Sequence, residues 1–397
     1  MRVLIAVDKF AGTLSAGEAA AAVEAGWSHA RPGDAIDTAP MSDGGPGFVE
    51  VMHVALGGDI REVVVSGPMR GPVAGQVLIV HSATGPEAYI ESAQACGLAL
   101  VARDLRDPGL TTTCGVGELI REAVSLGARW IVIGLGGSAT TDGGAGMLAA
   151  LGARATGPDG SDATALLSAG GLTLRNVGTV DLARPREVLR GVELVAATDV
   201  DSPLLGPQGA SFGFAAQKGA SEDEARELEA AMAAWADAAG AGAAGVGAGA
   251  GAGAADGADL TDVPGAGAAG GLGFGLLQIG AQIVPGSAAV IDAIGLADRC
   301  QEADLVITGE GRFDWQSLHG KLVSGVASTA AGAGRPTVVL AGQVTVSPDE
   351  CSKSGITAAY SVVEHSGSIT AALADPAGTL ADLADTVARQ SSIEDLR

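Results

Sequence analysis

The chain opens on an unbroken apolar run, "RVLIAVD" (Arg2–Asp8). A run with no polar alternation predicts a parallel strand buried on both faces. Ser15 and Glu18 then form an S-x-x-E capping box at the head of an Ala-rich helix, and "AIDTAP" (35–40) predicts the next strand. The pattern changes after this β-α-β unit. "REVVVSG", "GQVLIV" and "EAYIES" follow one another across Gly/Pro turns with no room for helices, which predicts an antiparallel meander. "GVGELIREAVSLGA" reads as a helix, "RWIVIGLGG" as a strand, "GMLAALGA" as a helix and "VELVAATDVD" as a buried strand. Ser221 and Glu224 cap a further helix, "SEDEARELEAAMAAWADAA".

From about residue 290, helix and strand alternate again. The strands are "DLVITGEG", "PTVVLAG" and "ITAAYSVV". With the first two they make five parallel strands, and right-handed crossovers favour a flavodoxin-like order of 2-1-3-4-5. The expected fold class is therefore α/β: a discontinuous flavodoxin/Rossmann-like parallel-sheet domain, 1–60 plus 290–397, with an inserted mixed α/β domain at 61–289. The Gly/Ala-rich stretch at about 239–258 reads as a flexible surface loop without chemistry. Ligand is expected at the carboxyl ends of the strands, in a cleft between the domains.

Composition narrows the function. The 397 residues carry a formal net charge of −23, which argues against nucleic acid and anionic membranes as partners. An anionic ligand would need local help from a few lysines or arginines, backbone N–H groups or Mg²⁺. Aromatics are only 3% of the chain, so the core must be built from Ala, Val, Leu and Ile. The four cysteines (Cys96, Cys114, Cys300, Cys351) show no metal-ligand or C-x-x-C spacing and read as free thiols. The amino terminus reads as a strand, not a leader, and no apolar run approaches the ~20 residues that span a bilayer. A cytoplasmic location is expected; self-association is left open.

Polar residues recur where strands end: Asp8-Lys9, Ser42-Asp43, Ser138 with Asp142, Asp199 with Asp201, Glu310 with Arg312 and Asp314, and Gln343. A doubly wound sheet gathers such ends on one rim. Acids there can hold Mg²⁺ or accept a hydroxyl proton, and glycines let backbone N–H groups approach phosphate. Positioning, a cation and charge neutralisation are the needs of phosphoryl transfer. Two loops are near copies, "SDGGPG" (Ser42–Gly47) and "TDGGAG" (Thr141–Gly146), and each also fits a plain tight turn. "GAGAAGGLGFG" contains G-x-G-x-x-G (Gly265–Gly270), but no predicted strand precedes it, which argues against a dinucleotide fingerprint. His319 is more readily a structural histidine than an acid or base.

The blocks "DKFAGTL" (8–14), "PMSDGGPG" (40–47), "ESAQACGL" (91–98), "TTTCGVGELI" (111–120), "GLGGSATTDGGAGM" (134–147), "ATDVDSPLLGPQGAS" (197–211), "QKGA" (217–220), "VPGAGAAGGLG" (263–273) and "DLVITGEGRFDWQSLHGK" (304–321) occur in this order. Over essentially its whole length the chain resembles the bacterial type I glycerate kinases. The resemblance implies ATP- and Mg²⁺-dependent phosphorylation of D-glycerate, typically to 2-phosphoglycerate. On that basis Asp43 or Asp199 is expected as general base, and Lys9, Lys218 and Lys321 as neutralisers of phosphate charge. Asp201 and Glu310 are expected to hold Mg²⁺. Asp8, Ser42, Gly44, Gly137, Ser138, Asp142 and Arg312 are expected on the glycerate, and Thr308, Gly309, Gly311, Lys321, Gly342 and Gln343 around the nucleotide. Two departures stand out: Ala11 sits where many members have lysine, and Pro46 where many have glutamate. They keep two rival readings open, a kinase of a related hydroxy acid or polyol, and an inactive binding relative.

Overall fold

The computed structural model describes residues 1–10, 12–243 and 259–390. Ala11 and most of the 239–258 stretch lie outside the described residues; the helix Glu222–Ala243 already occupies its first positions. The chain divides into two compact units. One comprises Met1–Asp43, Glu50–Leu56 and Ser287–Arg397; the other comprises Gly44–Val49 and Gly57–Gly286.

The first unit is built on five parallel strands in the order Ala358–Ser361, Thr337–Ala341, Leu305–Gly309, Arg2–Val7, Ala35–Thr38. This is the order 2-1-3-4-5 expected from the crossovers. The apolar runs behave as their lack of alternation requires: Val3 through Val7 have no exposed surface, nor have Val338 to Ala341. Ser15 caps the helix Ala16–Ala30 with a complete capping box. That helix packs on Pro376–Gln390 at backbone distance, since a Cβ on Gly26 would lie 2.0 Å from the Ala381 carbonyl oxygen. Trp27, Leu305, Leu340, Leu380 and Val387 fill the core beneath it. The helical segment before the strand Leu305–Gly309 is two helices, Gly286–Ala293 and Leu296–Glu302, because Gly295 takes a left-handed φ of 63°.

The second unit carries a six-stranded mixed sheet ordered Gln282–Val284, Glu193–Ala197, Trp130–Gly134, Gly85–Glu91, Pro72–Ser82, Asp59–Ser66. The first four strands run parallel and the last two complete the antiparallel meander. Several elements among the described residues had no clear sequence signal. The helix Phe48–Leu56 follows the first DGG loop directly. Gln282–Val284 is too short for periodicity, and so is the hairpin Arg154–Thr156 with Thr179–Asp181. All four cysteines are free thiols. No helix among the described residues is long and apolar enough to cross a membrane.

Candidate active site

In the first unit the strand Arg2–Val7 ends by placing Asp8 beside the end of its neighbour; the Asp8 N–H donates to the Gly309 carbonyl at 2.9 Å. The Asp8 carboxylate accepts the Lys9 backbone N–H at 2.7 Å. Lys9 Nζ donates to Asp43 Oδ1 at 2.7 Å and stands 3.6 Å from Asp8 Oδ1. A lysine thus sits between two carboxylates, one from the first strand end and one from the first DGG loop. Asp8 is only 8% exposed. Burial, opposed by Lys9 and reinforced by Asp43 and Glu310, pushes its carboxyl up to about 7. Glu310, after the strand Leu305–Gly309, is also pushed up to about 7, by burial first, with Asp314 and Asp43 adding to it. Its Oε1 is buried with no hydrogen-bond partner among the described residues. Burial alone would lower the Lys9 pKa, but Asp43 and Asp8 outweigh it and hold the ammonium charged.

Two strand-end loops meet beside this cluster. The Gly342 N–H donates to the Glu310 carbonyl at 3.1 Å and the Gln343 N–H to the Gly311 carbonyl at 3.1 Å. A Cβ on Gly342 would stand 2.4 Å from the Gly311 oxygen, so only glycine permits this approach. Gly311, Gly342 and Gln343 line a pocket of ≈ 150 Å³ whose remaining wall is largely apolar. Thr308 and Gly309 do not reach it, being wholly buried within the sheet. Arg312 is exposed and 3.4 Å from Asp314. Lys321 bonds Gln316 at 3.0 Å, His319 bonds the Trp315 carbonyl, and Ser42 is buried.

The second DGG loop lies in the second unit and is built differently from the first. Asp142 has no exposed surface. Its carboxylate accepts from the Thr113 N–H (2.8 Å) and hydroxyl (3.0 Å), and from the N–H groups of Gly144 (3.2 Å) and Gly146 (3.3 Å). Burial raises its pKa and these donors pull it back. Lys218 is buried too, its Nζ donating to the Thr140 carbonyl at 2.6 Å; burial pulls its pKa down to about 8, with Cys96 and Asp142 opposing. The Ala139 N–H bonds the Cys96 carbonyl and the Gly143 N–H bonds the Gly270 carbonyl. A Cβ on Gly270 would lie 1.8 Å from the Thr140 oxygen. The "ESAQACGL", "TTTCGVGELI", "QKGA" and "VPGAGAAGGLG" blocks therefore converge on one loop and fix its shape. The G-x-G-x-x-G glycines belong to this scaffold, where Gly270 and Gly271 take left-handed conformations. At the surface of the same unit, Ser138 is 6% exposed and Gly137 is open. Gly137 faces the Pro46 ring, and the buried Gly44 approaches the Ala197 carbonyl. Asp199 is half-buried and Asp201 exposed after the strand Glu193–Ala197.

The carboxyl ends of one parallel sheet thus hold two acids of raised pKa, an ion-paired lysine and a glycine-walled pocket, the equipment of an α/β enzyme acting on a small anionic ligand. The comparisons with known proteins narrow this class. The model of the glycerate kinase family matches residues 3–392. The glycerate kinase of Bacillus subtilis strain 168 is 41% identical, over 91% of this chain and 90% of that one. The glycerate 2-kinase of Escherichia coli K12 is 39% identical, over 93% and 92%. A crystal structure of a proposed glycerate kinase 2 from Salmonella typhimurium LT2 superposes with a TM-score of 0.78 at 37% identity, covering 98% of this chain and 97% of that one. The chain belongs to the glycerate kinase family.

Proposed function

We propose that this protein transfers the γ-phosphoryl group of ATP to D-glycerate, at the 2-hydroxyl. The observation that carries the reading is the Asp8–Lys9–Asp43–Glu310 cluster beside the Gly311–Gly342 pocket wall, in a chain of this family. Lys9, held charged and oriented by Asp43, neutralises charge on the transferring phosphoryl group. Mg²⁺ fits the donor set: the oxygens are hard ligands, and the unpartnered Glu310 Oε1 is a buried acceptor that a cation would satisfy. Among the described residues no three His, Cys, Asp or Glu side chains converge as a complete metal site. A Mg²⁺ held by one or two carboxylates, completed by water and phosphate oxygens, needs no such trio. Bound there, it would offset phosphate charge; Glu310 and Asp8 are its proposed holders, ahead of the exposed Asp201.

The proposed general base on the glycerate hydroxyl is Asp43 or Asp199. Asp142 and Lys218 act through the loop they hold: their polar atoms are spent on Thr113, Gly144, Gly146 and Thr140, and their role is to set the conformation that presents Ser138. The test is ³¹P NMR of the product formed from purified protein, D-glycerate, ATP and Mg²⁺. 2-Phosphoglycerate supports the reading, 3-phosphoglycerate overturns the regiochemistry, and no phosphoglycerate overturns the substrate. Asp43→Asn and Asp199→Asn then assign the base; near wild-type turnover in both removes both from that role.

A further inference from the structure

The pocket in the first unit extends past the glycines that the sequence pointed to. Beyond Gly342 and Gln343, its wall is apolar: Phe10 from the loop after the first strand, Val362 from the segment after the last strand of the sheet, and Ile369 and Leu373 from the helix Ile369–Ala374. Ile369 and Leu373 lie one helical turn apart and are 52% and 58% exposed, an apolar pair at the pocket mouth with little of the chain covering it. Two polar side chains stand among them, and that of Thr13 is spent, its hydroxyl donating to the Phe10 carbonyl at 2.8 Å. The Gln343 carboxamide has no hydrogen-bond partner among the described residues, while its backbone N–H is fixed to Gly311. A pocket of ≈ 150 Å³ is below the ~300–1,000 Å³ of whole drug-sized ligands, so it suits one flat ring of a larger molecule. Its polar end is the Gly311–Gly342 wall, and Glu310, whose carbonyl accepts the Gly342 N–H, joins that wall to the charged cluster.

We infer that this pocket takes the adenine base of the nucleotide, and that the Gln343 carboxamide pairs with the adenine edge and selects adenine over guanine. The inference rests on the reading of the protein as a nucleotide-dependent kinase. The chemistry is a match of donors and acceptors. A carboxamide offers one acceptor oxygen and an N–H₂ donor. The N7/N6 edge of adenine offers one acceptor and one donor, so both bonds form; the same edge of guanine offers two acceptors and leaves the Gln343 oxygen facing O6. Ile369, Leu373, Val362 and Phe10 supply apolar contact to the ring faces and carry no base preference. A good bidentate pair discriminates on the order of tenfold to a hundredfold.

The experiment measures binding of ADP, GDP and inorganic triphosphate to the full chain by calorimetry, and kcat/KM for ATP and GTP with D-glycerate. The wild type is expected to favour ADP over GDP at least about tenfold. Gln343→Leu, which removes both the donor and the acceptor at similar volume, should abolish that preference while triphosphate binding stays within about twofold. Leu373→Ala, an exposed position that does not threaten folding, should weaken ADP and GDP equally by about threefold to tenfold and leave triphosphate unchanged. ADP affinity and the ADP/GDP ratio equal to wild type in both variants overturn the inference. A wild type that binds triphosphate as tightly as ADP overturns the base pocket and leaves the kinase reading standing; one that binds neither overturns the kinase reading as well.

Discussion

Replacing Asp8 by asparagine should make this protein more stable and less active, and the gain should depend on pH. Asp8 is 8% exposed, and its carboxyl is pushed up to about 7 from an ordinary 3.8, chiefly by burial. A carboxyl whose folded pKa is raised contributes its stability below the unfolded value, near 3.8. It loses that stability as pH rises through about 7. The gap of roughly three units, at about 1.4 kcal/mol each, amounts to a penalty of about 4 kcal/mol above pH 8. Asparagine carries no such penalty, still accepts the Lys9 backbone N–H, and leaves Lys9 its 2.7 Å bond to Asp43. The advantage of Asp8→Asn should therefore be near zero at pH 4 and approach ~4 kcal/mol at pH 8. For a unit of this size that is a rise of about 8–16 °C in its Tm. Differential scanning calorimetry of both proteins at pH 5, 6, 7 and 8 reads it directly. Turnover should fall at the same time, as at sites that hold strain for function. Parallel Tm-against-pH curves for the two proteins, or a variant less stable at pH 8, would refute the reasoning, because Asp8 would then not be a buried carboxyl held against its preference.

Three further perturbations separate site from scaffold. Asp142→Ala removes the acceptor of three backbone N–H groups and the Thr113 hydroxyl, and should cost about 3–5 kcal/mol. Denaturant unfolding followed through Trp235 reads it, since that indole donates to the Gly143 carbonyl; an unchanged midpoint removes Asp142 from its scaffold role. Lys9→Met removes charge at the proposed phosphoryl site and should lower kcat about 10²–10³-fold with the fold intact by circular dichroism; a loss below tenfold removes Lys9 from the chemistry. Gly309→Ala would place a Cβ 1.9 Å from the Leu340 carbonyl oxygen inside the sheet, and should cost at least ~3 kcal/mol in thermal unfolding; soluble expression with wild-type Tm would show that the strands part more easily than their spacing indicates.

What the chain determines locally was legible. The unbroken apolar runs gave the parallel strands, because a strand covered on both faces has no polar side to show. Ser15 with Glu18, and Ser221 with Glu224, marked helix starts because a cap is a contact between residues three apart. The order of the five-stranded sheet followed from crossover handedness. That Asp8 and Glu310 follow neighbouring strand ends of the first unit was legible for the same reason, since parallel strands of one sheet end on the same rim. Gln282–Val284 and the Arg154–Asp181 hairpin were not, for three residues carry too little pattern to register. The apolar wall around Gln343 was hidden because Phe10, Val362 and Leu373 are each ordinary in their own segments and meet only when the sheet is assembled. The paired loops "SDGGPG" and "TDGGAG" draw the boundary most sharply. In sequence they are near equals. In the fold Asp43 is partly exposed and shares Lys9 with Asp8, whereas Asp142 is sealed beneath four donors, two of them from Thr113, 29 residues away. The sequence by itself set a turn with an acid at its start, twice. Only the tertiary structure decided which acid stays partly exposed beside a lysine and which is buried to hold its loop, because the dielectric around a carboxylate and its hydrogen-bond donors come from residues distant in the chain.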